Sequence, residues 1–110
     1  MKIAIACDGT NVSPHFGRCE KYLMAEVNDL DIKLLDWLDN PGHEPGALPR
    51  LMAQQGVKVV MAGGAGPRAQ QLLAGSGIDL ITGVSGDSLQ ALQAFAQGTL
   101  ETGESACDHG

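Results

Sequence analysis

Aromatic residues are scarce in this 110-residue chain: one Trp, one Tyr and two Phe. The core must therefore be aliphatic, and stacking platforms for single-stranded nucleic acid are lacking. Basic residues are also few. Seven Lys and Arg against thirteen Asp and Glu leave a net charge of -6, and they are scattered rather than gathered into the stripe that a phosphate backbone requires. Nucleic acid is not an expected partner. No apolar run approaches the roughly 20 residues of a membrane span. The opening Met-Lys-Ile-Ala-Ile-Ala runs into Asp8-Gly9 without the layout of a secretory leader. The expectation is a cytoplasmic protein with no membrane partner. Three cysteines, Cys7, Cys19 and Cys107, are an odd number for a disulfide framework, so reduced thiols are expected, available as soft ligands.

What is present suits one small domain, with 44% hydrophobic and 18% charged residues. Lys2 to Cys7 alternates Ile and Ala and reads as a strand entering a loop, Asp8 to Arg18. Lys21 to Val27 and Ile32 to Leu38 are strand-like runs around the turn composition Asn28-Asp29-Leu30-Asp31, an antiparallel hairpin with Trp37 packed near its end. The Pro- and Gly-rich stretch Asn40 to Gly46 forms a second loop before a helix from Ala47 to Gln55 closed by Gly56, with Pro49 in its first turn. Val57 to Ala62 reads as a buried strand, and Gly63 to Gly66 turns the chain into a helix from Pro67 to Ala74. Ile78 to Ile81 is a further strand, and Ser85, Asp87 and Ser88 open a last helix ending before Gly98. The sum is an α/β fold: a mixed five-stranded sheet with an antiparallel hairpin and about three helices on its faces. Residues 1–98 form one domain and residues 99–110 a polar tail.

Chemistry concentrates in two loops. Ser13-Pro14-His15-Phe16-Gly17-Arg18-Cys19 places an imidazole, a cation and a thiol within five residues, ligand types suited to copper, zinc and iron, with Arg18 to complement negative charge. Taken alone, His15 as a capping residue and Cys19 as a small core residue explain that run as well. Gly63-Gly64-Ala65-Gly66-Pro67-Arg68 follows a strand and opens a helix, where N–H groups and the dipole favour an anion. It also fits a dinucleotide fingerprint with Ala69 in its third place, but no acidic residue for a ribose ends the next strand, and no Walker loop occurs. If the two strands run parallel, both loops lie at one sheet edge, and His15, Arg18, Arg68 and glycine N–H groups make a locally positive site for a small polyanion. His43, in the second loop, and Cys107-Asp108-His109 in the tail are further soft donors, the latter short of the four ligands of a structural zinc site. Asp8 and Asp87 are the only carboxylates near predicted loop ends, and no hydrolytic motif accompanies them.

Asp8-Gly9 with Val12 to Cys19, Asn40-Pro41-Gly42-His43, and Ala62 to Ala69 jointly resemble the dinitrogenase iron-molybdenum cofactor-binding family over nearly the whole chain. Asn40 to Gly46 with Leu48-Pro49-Arg50, and the tail from Glu104 to His109, look most like its members that hold a molybdenum-copper-sulfide cluster. The resemblance implies a ribonuclease H-like sheet without nuclease activity. It further implies non-catalytic binding, carriage or assembly of an anionic metal-sulfur cluster, of molybdenum-copper-sulfide or iron-molybdenum-sulfide type, and cluster-assembly or acceptor proteins as partners. By position it points to His15, Phe16, Gly17, Arg18, Gly64, Gly66, Pro67 and Arg68 as cluster-binding residues. His15, Cys19, His43, Cys107 and His109 are the candidate metal ligands. The alternative is a small-molecule or phosphate-binding regulatory module using the Gly63 to Arg68 turn.

Overall fold

The computed structural model describes residues 1–42 and 46–102. Its strands are β1 (Lys2–Asp8), β2 (Asn11–Val12), β3 (Lys21–Asn28), β4 (Asp31–Asp39), β5 (Val59–Met61) and β6 (Asp79–Ile81), and its helices are α1 (Ala47–Gln54), α2 (Pro67–Gly75) and α3 (Ser88–Gln97). The sheet order is β4-β3-β1-β5-β6, with β2 paired to β1 outside that path. β1 runs antiparallel to β3 and parallel to β5, β3 runs antiparallel to β4, and β5 runs parallel to β6. The sheet is thus mixed, as expected, but it has six strands rather than five. The extra strand is the two-residue β2, which folds back on β1 through Cys7↔Val12 and Asp8↔Asn11. Two residues give no alternation to read, and they lie where the sequence reads only as a loop.

Ile3 to Cys7 is completely buried because β1 is the centre of the sheet and is covered on both faces. On one face Ala4, Ala6, Tyr22, Met24 and Val60 pack with Leu48 and Met52 of α1 and Leu73 of α2. On the other Ile3, Ile5, Leu23, Ala25 and Met61 pack with Ala91 and Leu92 of α3. The helix ends follow local chemistry. Pro67 begins α2, Asp87 caps α3 by accepting from the Gln90 N–H at 3.0 Å, and Gly98 ends α3 in a left-handed conformation. β4 pairs with β3 as the expected antiparallel hairpin, but the expected packing of Trp37 near its end is only partial. β4 is an edge strand with a register shift, and Trp37 is 40% exposed, the Lys21 ammonium standing 4.2 Å over its ring. Apolar alternation does not reveal which strand will lie at an edge. No described helix is long and apolar enough to cross a membrane.

Parallel pairing of β1 with β5 delivers the segments after both strands to one edge, where they are bonded together. The Ser13 N–H donates to the Ala6 carbonyl at 2.7 Å, the Gly63 N–H to the Ser13 carbonyl at 2.8 Å, and the Phe16 N–H to the Gly64 carbonyl at 2.8 Å. The approach requires glycine: a Cβ on Gly63 would lie 2.6 Å from Pro14 Cα, a backbone atom that cannot swing away. Gly66, three residues on, has open space around the same position.

Two thiols and a phenol are sealed within this frame, Cys7 among the α3-side residues and Cys19 and Tyr22 among the α1/α2-side residues. Burial is the main cause that raises the pKa of each, with the Cys19 neighbour adding to that of Tyr22.

Two outcomes are expected. Gly63→Ala destabilises by about 1–3 kcal/mol through overpacking, whereas Gly66→Ala stays within about 0.5 kcal/mol of the parent, as measured by denaturant unfolding. The raised thiol values mean that the folded chain keeps protons that the unfolded chain releases above the ordinary value of 9.0. That contribution is complete below the unfolded value and lost as pH rises past it, so stability falls above about pH 9. The Cys7→Ala, Cys19→Ala double variant is expected to flatten that decline in melting scans between pH 7 and 10.

Candidate functional site

The segment from His15 to Arg18 faces the turn into α2 across a cleft of about 340 Å³ lined by His15, Phe16, Gly17, Arg18, Ala65, Gly66 and Ala69. Its loop is shaped from below. Ser13 is buried, its hydroxyl donating to the His15 carbonyl and accepting from the His15 N–H, both at 3.2 Å, which turns the chain sharply after Pro14. Phe16 then enters the core, 1% exposed, with its ring centroid 5.6 Å from that of Tyr22. Its carbonyl accepts from the Tyr22 hydroxyl at 2.5 Å and the Cys19 thiol at 3.5 Å.

The Asn40 side-chain amide closes the other half of the loop. Its Nδ2 donates to the Gly17 carbonyl at 3.1 Å and the Cys19 carbonyl at 2.8 Å, while its Oδ1 accepts from the Gly42 N–H at 2.9 Å. The loop therefore presents donors: the Gly17 and Arg18 N–H groups meet no acceptor among the described residues. Across the cleft, α2 starts at Gly66 without a side-chain cap, leaving the Arg68 and Ala69 N–H groups at the positive end of the helix. Arg18 and Arg68 are exposed, and neither enters an ion pair among the described residues. Two amide-rich segments and Arg18 thus converge on one opening, with Arg68 exposed in the first turn of α2 beside it.

The expected site residues separate into groups. His15, Phe16, Gly17, Arg18 and Gly66 share the cleft. Pro67 and Arg68 follow Gly66 in the first turn of α2 but do not line the cleft, and the Gly64 carbonyl accepts from the Phe16 N–H. Cys19 does not line the cleft; it is buried, and its thiol is a hydrogen-bond donor within the loop. His43, Cys107 and His109 lie outside the described residues. Among the described residues no group of three or more His, Cys, Asp and Glu comes together as a metal-ligand set. The two carboxylates near loop ends have backbone partners: Asp8 accepts from the Glu20 N–H at 2.9 Å, and Asp87 caps α3. Sequence reasoning missed Asn40 and Tyr22. The Asn40-Pro41-Gly42 composition signalled a turn, and the Oδ1 bond to Gly42 is its expected Asx form, but the two bonds to the distant loop leave no local trace.

Residues 1–98 match the model of the family described as dinitrogenase iron-molybdenum cofactor. The chain is 32% identical over 106 residues to the uncharacterized protein MJ0580 of Methanocaldococcus jannaschii, covering 92% of this chain and 90% of that one. Among solved structures it is similar to the crystal structure of PH0822, with a TM-score of 0.90, 30% identity and coverage of 99% of this chain and 100% of the other. It is also similar to the apo form of the orange protein from Desulfovibrio gigas, with a TM-score of 0.75, 26% identity and coverage of 94% and 93%. The chain belongs to the dinitrogenase iron-molybdenum cofactor family.

Proposed function

We propose that this protein binds and carries an anionic metal-sulfur cluster in the cytoplasm, holding it without covalent attachment in the cleft between the His15–Arg18 loop and the start of α2. The observation that carries the reading is the convergence on one opening of Arg18, the unbonded Gly17 and Arg18 N–H groups, and the uncapped start of α2, whose Gly66 and Ala69 line the same cleft. A sulfide-coated cluster brings its own metal ligands and needs hydrogen-bond donors and positive charge around it, not thiolates. Each charge-assisted hydrogen bond contributes about 1.5–3 kcal/mol when shielded, and less at so open a site. Several acting together retain a polyanion, and salt weakens that hold.

Membership of the cofactor family and the likeness to the apo orange protein support this role. Of the two cluster types, we favour molybdenum-copper-sulfide over iron-molybdenum-sulfide, on the resemblance of the run from Asn40 to Arg50. A carrier of this kind works between a protein that assembles the cluster and one that receives it. The sheet order, antiparallel on one side of β1 and parallel on the other, supports the ribonuclease H-like reading of the fold.

Reconstitution of the apo-protein with tetrathiomolybdate and copper tests the proposal. The expected outcome is a visible charge-transfer spectrum that co-elutes with protein on gel filtration and is retained several-fold less well by Arg18→Ala and by Arg68→Ala. Colour that separates from the protein, with both copper and iron, would overturn it. A melting shift with phosphate or nucleotide in its place would favour the phosphate-binding module built on Gly63 to Arg68.

A further inference from the structure

We infer that Asn40 is a positioning residue that sets the sign of charge the cleft accepts, by taking up carbonyl oxygens that would otherwise be offered to a ligand. A backbone loop can meet its ligand with carbonyls, which suit cations, or with N–H groups, which suit anions. Between Phe16 and Cys19 three carbonyls are engaged from inside the protein. That of Phe16 is taken by Tyr22 and Cys19, and those of Gly17 and Cys19 by Asn40 alone. Asn40 follows β4, far from the loop in sequence, and it does not line the cleft.

Only a carboxamide suits the position. It must give two N–H bonds to carbonyls and accept one from the Gly42 N–H, which is the inventory of Asn. An aspartate has the same shape and keeps the bond from Gly42, but it sets an oxygen against the Gly17 and Cys19 carbonyls and adds a negative charge behind the loop. The loop would then turn at least one carbonyl outward, into the space where an anion sits. Tyr22→Phe is a milder disturbance, since Cys19 still donates to the Phe16 carbonyl.

This inference rests on the cleft being an anion site, and the experiment separates the two. Amide resonances of Gly17 and Arg18 are followed by nitrogen-proton correlation spectroscopy while sulfate, and separately tetrathiomolybdate, is titrated into the full chain. In the parent both resonances are expected to shift saturably. In Asn40→Asp the affinity for both anions is expected to fall tenfold or more, while resonances of β1 and α3 and cooperative melting are retained. Asn40→Ala, which adds no charge, is expected to show a smaller loss in the same direction, and Tyr22→Phe a loss of about threefold or less. These two carry the test if the aspartate variant does not fold. Binding within twofold of the parent in the Asn40 variants, or parent Gly17 and Arg18 resonances that ignore both anions, would overturn the inference. Saturable shifts without retention of a coloured cluster would uphold the inference and remove the cluster reading. A cluster retained equally by parent and Asn40→Asp would do the reverse.

Discussion

The close approach of two backbone segments, Pro14 to Gly63, is the constraint on which the site depends. Parallel pairing of β1 with β5 puts their ends side by side, but the segments beyond are bonded together only because Gly63 carries no Cβ where Pro14 passes. With that contact made, the Ser13 carbonyl and the Phe16 N–H meet Gly63 and Gly64. The His15–Arg18 loop is thereby fixed opposite the first turn of α2, and Phe16 is drawn into the core against Tyr22. A looser junction would leave the same residues on the surface without a shared opening.

The local electrostatics then run against the net charge of the molecule. The chain carries -6 overall, yet the cleft gathers amide donors, the positive end of α2 and Arg18, because the loop's carbonyls are engaged from within. The buried thiol of Cys19 contributes to that arrangement as a donor. Burial keeps it protonated, which is the opposite of what a thiolate ligand needs. A ligand held by such contacts alone is released by competing anions or by a partner surface that offers more of them, a property suited to carriage.

Much of the fold was legible in the sequence because its signals are local. The Asn28 to Asp31 turn, the glycine run before Pro67, the Asp87 cap and the continuous apolar β5 each declare themselves within a few residues. The six-strand count and the exposure of β4 did not, since β2 is too short for a period and an edge is a property of the whole sheet. The site was half legible. Its two loops could be brought together by assuming that two strands run parallel; His15, Arg18 and Gly66 do line one cleft, whereas Arg68, expected with them, does not. The scaffold beneath was hidden: Tyr22 and Asn40 reach the loop from strands and turns whose register against it no short motif encodes. Softness of side chain suggested Cys19 as a ligand, whereas burial, which depends on tertiary packing, gives it to the core.

The central claim is that the cluster sits between the His15–Arg18 loop and the first turn of α2 with no protein atom bonded to its metals. Anomalous diffraction at the molybdenum edge from crystals of the reconstituted protein tests it most directly. The account predicts one molybdenum peak in that cleft, within reach of the Gly17, Arg18 and Ala69 amides and the two guanidinium groups. A peak elsewhere on the molecule, or one bonded to an imidazole or a thiolate of the chain, would contradict it.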